Sequence, residues 1–282
     1  MIVPYRQLLT RVKIGRWALP TFNTFNLEMT QAILWAAEST RAPLAIEISA
    51  RAIQHGGGNN FLEYVRAAAD QAKVPVALHF DHGESVQKIR AVGAAFFSSV
   101  MIAYDIRKSL ATNIKSATAA VRWARSKRIS VQGEVGHISG PKDHWRAVAE
   151  WLTKPDDAAE YVRHTGVDSL AVSVGNRHGI AAGSVQLDFP RIKAIRAHVN
   201  VPLVLHGGSG VRRNLYAKAV RTGIAAINFD TDLRFAFATT LQQAFGLQRN
   251  VVDPRNALGQ ARRHVARVVA DKIRACRANG KV

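Results

Sequence analysis

The chain has 282 residues, of which 48% are hydrophobic, 21% charged and 7% aromatic, the balance of an ordinary globular protein and not a disordered one. Its formal net charge of +19 draws anions, whether phosphorylated metabolites, nucleic acid or an acidic membrane surface. No apolar run approaches the roughly 18 residues that cross a bilayer, the amino-terminal stretch lacks the apolar core of a secretory signal, and a lone cysteine, Cys276, allows no intrachain disulfide, so a cytoplasmic protein with no membrane partner is expected.

In chain order, short apolar runs recur with helical periodicity between them. Strands are predicted at 17–23 (WALPTFN), 43–49 (PLAIEIS), 75–80 (PVALHF) and 96–102 (FFSSVMI). Four more follow at 129–135 (ISVQGEV), 169–174 (SLAVSV), 201–206 (VPLVLH) and 225–229 (AAINF). Most are unbroken apolar runs, as parallel strands covered on both faces require. Helices are predicted at 26–40, 61–72, 106–128 and 188–199, the last opening on Asp188 as its N-cap. The basic stretch 262–281 also reads as helical, its charge a solvated face. No recognition motif or aromatic–basic interleaving accompanies it, so nucleic acid is not the expected partner. Eight strands alternating with helices predict an α/β fold, a (β/α)8 TIM barrel forming one domain over residues 1–282, with a doubly wound open sheet as the alternative. The stretch 136–151 is the one long insertion, a common origin of active-site lids.

Polar residues gather where these strands end, the end at which barrel enzymes build their sites. Asp81 and His82 follow the third strand, Gln132 and Glu134 lie in the fifth, His178 follows the sixth, His206 ends the seventh, and NFDTD (228–232) ends the eighth. Three imidazoles with an open fourth position make a catalytic zinc arrangement, in which the ion serves as Lewis acid. A lone histidine is more often a hydrogen-bonded surface or core residue, but His82, His178 and His206 each adjoin a glycine at the same predicted barrel end. His79 lies inside its strand and reads as bracing or packing, while His55, His137, His144, His164 and His198 lack such a setting. Asp81, next to His82, is placed to move a proton without binding the ion; the bland reading is a helix N-cap for the segment that follows. In HGGSG (206–210) and NFDTD, glycine N–H groups with the Ser209 and Thr231 hydroxyls suit a phosphate, although tight turns use the same residues.

These residues match a family. LPTFNTFN (19–26), ALHFDHG (77–83), GVDSLAVSVGNRHG (166–179), VPLVLHGGSGV (201–211) and INFDTDLRFAF (227–237) resemble the class II, metal-dependent ketose-bisphosphate aldolases, the fructose- and tagatose-bisphosphate group. The resemblance runs through nearly the whole chain. It implies a zinc-dependent lyase, a homodimer or homotetramer, that reversibly cleaves a phosphorylated ketose to dihydroxyacetone phosphate and an aldehyde. On the family pattern His82, His178 and His206 fall on the ligands of one catalytic zinc, with a monovalent cation as a second candidate ion, and Asp81 falls on the proton-shuttling aspartate. Gly179, Gly207, Ser209, Asn228, Asp230 and Thr231 fall on positions holding the donor's phosphate and hydroxyls, and Asn23 and Ser49 on further substrate contacts. Arg234 and Arg255 are implied partners of a distal phosphate. The chain also departs from the pattern. Gln132 replaces a glutamate that would ligate an alternative metal position, Ala103 an aspartate, Lys142 a loop acid and Ala182 a lysine. Glu134, Asp143 and His144 are the residues at hand to replace the loop acid. Two readings stay open on those departures: an aldolase acting on fructose 1,6-bisphosphate or a related ketose, and an altered or inactive relative that binds phosphosugars.

Overall fold

The protein is described from a computed structural model covering residues 1–92, 96–140, 150–179, 185–247 and 253–282. Helix α1 (Tyr5–Gly15) precedes β1 (Leu19–Asn23), followed by α2 (Leu27–Thr40), β2 (Leu44–Ser49), α3 (Ala50–His55), α4 (Asn59–Gln71) and β3 (Val76–Gly83). Then come α5 (Val86–Ala91), β4 (Ser99–Ile102), α6 (Leu110–Arg125), β5 (Ser130–Val135), α7 (Pro155–Thr165), β6 (Ser169–Val172) and α8 (Phe189–His198). The chain ends with β7 (Leu203–Leu205), α9 (Arg213–Thr222), β8 (Ile224–Phe229), α10 (Thr231–Leu247) and α11 (Arg255–Ala275). The eight strands pair in parallel in sequence order and β8 closes on β1, so the expected barrel forms and the open sheet is excluded.

Local chemistry sets the element ends. The helix predicted from 106 begins instead at Leu110, because the Ser109 hydroxyl accepts the Thr112 N–H at 3.2 Å and caps it there. Asp188 caps α8 as expected, accepting the Arg191 N–H at 2.9 Å. The segment after β3 is capped by Ser85, which accepts the Lys88 N–H at 3.2 Å, so the N-cap reading of Asp81 is wrong. No helix among the described residues is long and apolar enough to cross a membrane.

The barrel interior is polar where it nears the carboxyl ends of the strands. Asn228 of β8 donates to Glu47 Oε1 of β2 at 2.6 Å, and His206, just past β7, meets Gln132 Oε1 of β5 at 2.8 Å. Each contact skips an intervening strand, so both pass through the barrel and not around it. Helix α1, which the periodicity did not reveal, closes the opposite mouth. Its Tyr5 is fully buried and stacks on His79 at 5.3 Å between ring centroids, and the Val3 N–H reaches Val76 O at the start of β3.

His79 is itself fully buried, with Nδ1 2.9 Å from Ser99 Oγ. Burial, only partly opposed by Asp81, lowers it from 6.5 to about 4. The unfolded chain therefore takes up a proton between those values that the folded protein refuses. Stability from this residue is complete above pH 6.5 and declines as pH falls toward 4, by about 3 kcal/mol in all. Urea midpoints measured across that window should fall less steeply for His79→Gln than for the parent protein.

Candidate active site

Consecutive residues of a regular strand face opposite ways, yet the sequence puts Asp81 and His82 side by side. The structure resolves this with a bulge. β3 runs to Gly83, beyond its predicted end at 80, and its register with β4 shifts between Phe80 and Gly83. His82 sits there with φ 54°, a left-handed conformation rare for a side chain of its size. The turn swings His82 toward the mouth alongside Asp81, with 3.7 Å between His82 Nε2 and Asp81 Oδ1. Gly83 makes the close approach to β4 that the bulge needs, since a Cβ there would stand 2.5 Å from Met101 O.

His178 and His206 arrive from the ends of β6 and β7. Ring centroids lie 5.1 Å apart for His82 and His178, 5.2 Å for His82 and His206, and 5.8 Å for His178 and His206. One ligand atom from each lies within 4.8 Å of the others, the only grouping of this kind among the described residues. Small side-chain rotations bring such a set to the roughly 2 Å metal–nitrogen bonds of a zinc site. The donors suit an ion in two further ways. His178 Nε2 is buried with no hydrogen-bond partner among the described residues. Burial lowers His178 to about 3 and His206 well below its usual value, so both are unprotonated and ready to ligate at neutral pH. His82 differs: burial would lower it, but Asp81, Glu134 and Asp230 outweigh that and raise it.

Gln132 Oε1 faces His206 Nε2 at 2.8 Å and orients that ring; assigning the proton to that contact leaves Nδ1 for an ion. Asn23 Nδ2 likewise fixes Asp81 by donating to Oδ2 at 2.9 Å, leaving Oδ1 without a hydrogen-bond partner among the described residues. For Asp81 burial acts upward, but His82, His206, His79 and the Asn23 bond prevail and hold it at about 2, ionised. Glu47, by contrast, is pushed well above the carboxylate range by burial and by Asp81. It was not singled out in the sequence, yet it anchors Asn228, whose Oδ1 also accepts from Thr21 Oγ1 at 2.7 Å.

The other expected residues surround this mouth with different degrees of freedom. Gly207 adopts φ 63° and opens a 3-10 turn, Gly208–Gly210; a Cβ on it would lie 2.3 Å from Arg177 O, so no other residue fits. Ser209 is buried and accepts the Asp232 N–H at 3.2 Å, which joins that turn to the first turn of α10, where Thr231 stands. Gly179 has φ 67° beside His178. Ser49 caps α3 through Ala52 N at 3.3 Å, and its register partner on β3 is Asp81. Asp230 is paired with Arg234, and the exposed Arg255 with Asp253 at 2.7 Å. Glu134 accepts the Tyr104 N–H at 2.9 Å and is raised by burial. Lys142, Asp143, His144 and Ala182, with most of the expected lid, lie outside the described residues.

Fold and site together define a barrel enzyme with the means to hold a metal. The profile of the family described as fructose-bisphosphate aldolase class-II matches residues 3–281. A fructose-bisphosphate aldolase of Thermus caldophilus is 35% identical over 299 residues, covering 97% of both chains. One from Geobacillus stearothermophilus is 32% identical over 283 residues, covering 99% of this chain and 98% of its own. Among solved structures, the YdjI aldolase from Escherichia coli K12 superposes with a TM-score of 0.88 at 30% identity, covering 100% of this chain and 99% of its own. A putative fructose-1,6-biphosphate aldolase from Coccidioides immitis gives 0.88 at 26%, covering 99% and 97%. The chain belongs to the class II fructose-bisphosphate aldolases, a metal-dependent family, and is an aldolase lyase.

Gln132→Leu removes the acceptor behind His206 while keeping the residue's bulk. Zinc affinity, measured by competition with a chromophoric chelator, should fall about 10- to 100-fold without loss of the fold.

Proposed function

We propose that the protein is a zinc-dependent aldolase that reversibly cleaves a phosphorylated ketose to dihydroxyacetone phosphate and an aldehyde. Fructose 1,6-bisphosphate is the first candidate, since both sequence relatives are named fructose-bisphosphate aldolase. The observation that carries the reading is the convergence of three imidazoles at the carboxyl mouth of the barrel, with Asp81 Oδ1 3.7 Å from His82 Nε2. His82, His178 and His206 would hold the ion. Zinc, when bound, supplies a Lewis acid beside the donor's carbonyl.

The chain's own residues account for the rest. Asp81, held through Oδ2 by Asn23, takes the C4 hydroxyl proton on Oδ1, which has no hydrogen-bond partner among the described residues. The C3–C4 bond then breaks, C4 leaves as the aldehyde carbon, and the bond's electron pair stays with the three-carbon donor. That donor leaves as dihydroxyacetone phosphate after gaining a proton at C3. The Gly207–Gly210 turn and the first turn of α10, beyond β7 and β8, are the proposed phosphate cradle, where backbone N–H groups and a helix N-terminus favour an anion. Asn228, Asp230, Thr231, Gly179 and Ser49 complete the proposed substrate contacts, with Arg234 toward the distal phosphate. The proposed assembly is a homodimer or homotetramer, supported by the exposed aromatic rings of Trp35, Phe235 and Phe245 on α2 and α10.

Purified protein should carry zinc and release triose phosphate from fructose 1,6-bisphosphate, and a chelator should abolish that activity until zinc is restored. Protein that takes up no metal under any loading condition would sink the reading. Asp81→Ala should retain zinc while turnover falls about 100-fold or more; unimpaired turnover would remove Asp81 from its role.

A further inference from the structure

The proposed cradle contains an electrostatic conflict. NFDTD places two carboxylates, Asp230 and Asp232, beside the helix N-terminus that has to receive a phosphate. Each has its own cation. Asp230 is paired with Arg234 from the next turn of α10. Asp232 is paired with Lys272, which comes from α11, 40 positions away along the chain. The two side chains of the latter pair are only 13% and 18% exposed, so the pair is largely withdrawn from water. Apolar residues often replace such a pair with no loss of stability. Its contribution here is to geometry and local charge.

Lys272 also governs the other half of the cradle. Its Nζ donates to Tyr216 OH at 3.0 Å, and that hydroxyl donates to Gly208 O at 2.9 Å. The ammonium lies 5.3 Å from the Tyr216 ring centroid and 5.2 Å from that of Phe229, which favours its charge in this setting. In a planar trans peptide, the carbonyl of one residue and the N–H of the next point in opposite directions. Tethering the Gly208 carbonyl, which also accepts the Val211 N–H at 2.9 Å, therefore fixes the direction of the Ser209 N–H, opposite to it. The two halves meet where the Asp232 N–H donates to Ser209 Oγ at 3.2 Å.

We infer that Lys272 is a positioning residue for the donor phosphate: through Tyr216 it orients the Gly207–Gly210 turn, and through Asp232 it cancels a carboxylate that would repel the phosphate. It touches no reacting atom. The inference rests on the proposed aldolase reading and deepens it by naming what makes the site select phosphorylated donors.

The test uses the zinc-loaded full-length protein. Lys272→Met should raise KM for fructose 1,6-bisphosphate about ten-fold or more while kcat stays within about two-fold, because binding common to ground and transition states is lost. The dissociation constant of inorganic phosphate, by calorimetry, should rise in parallel. Lys272→Arg should restore most of both, whereas Asp232→Asn combined with Lys272→Met, which removes the uncompensated carboxylate but not the loss of the tether, should restore only part. An unchanged phosphate affinity, or a loss in kcat with KM intact, overturns the inference. Should Lys272→Met fail to fold, Tyr216→Phe keeps the ion pair and cuts only the tether; a several-fold KM increase supports the inference and an unchanged KM refutes it. If the parent protein cleaves no ketose, the aldolase reading fails, and the phosphate affinities alone still decide the role of Lys272.

Discussion

A strand's pleat sends neighbouring side chains apart, whereas this site needs a carboxylate and an imidazole from adjacent positions in one mouth. The bulge at the end of β3 is therefore the constraint on which the rest depends. It holds His82 at φ 54°, a conformation costing about 1–2 kcal/mol for a residue with a Cβ. The strand on either side over-determines it. Phe80 pairs with Val100 on β4, and Gly83 lies against Met101 O and pairs with Ile102. A larger residue at 83 would push the strands apart and carry His82 away from its partners. Strain of this kind persists where the surroundings enforce it, and here it coincides with the chemistry.

The rest of the site is pre-set by groups that hold its members from behind. Gln132 orients His206, Asn23 orients Asp81, and Glu47 with Thr21 orients Asn228. The two acids of this layer are driven opposite ways by their settings. Burial and the nearby Asp81 push Glu47 up, while the imidazoles around Asp81 hold that carboxyl down. Of two acids buried near each other, the one with fewer stabilising partners holds its proton more tightly. The cradle handles its two acids differently, giving each aspartate a dedicated cation.

The barrel was legible because its strands are unbroken apolar runs, a signal that needs no knowledge of neighbours. The three histidines and Asp81 were legible because polar residues beside glycine at a strand's end have no packing purpose. Other features left no local trace. The bulge at His82 lies in residues indistinguishable from an ordinary strand end, so β3 was expected to stop at Phe80. Tyr5 and α1 belong to the core only once the barrel has an open floor to close. Gln132 looked like a lost ligand, and Lys272 like one more charge on a solvated helix.

Composition, periodicity and motif thus determined the architecture and the identity of the ligand-type residues, since both are written in segments a few residues long. Tertiary structure alone decided which groups serve which. The 74 positions between Gln132 and His206, or the 56 between Tyr216 and Lys272, are closed only when the barrel closes. A hydrogen bond acts over about 3 Å, and separation along the chain says nothing about that distance until the strands have paired.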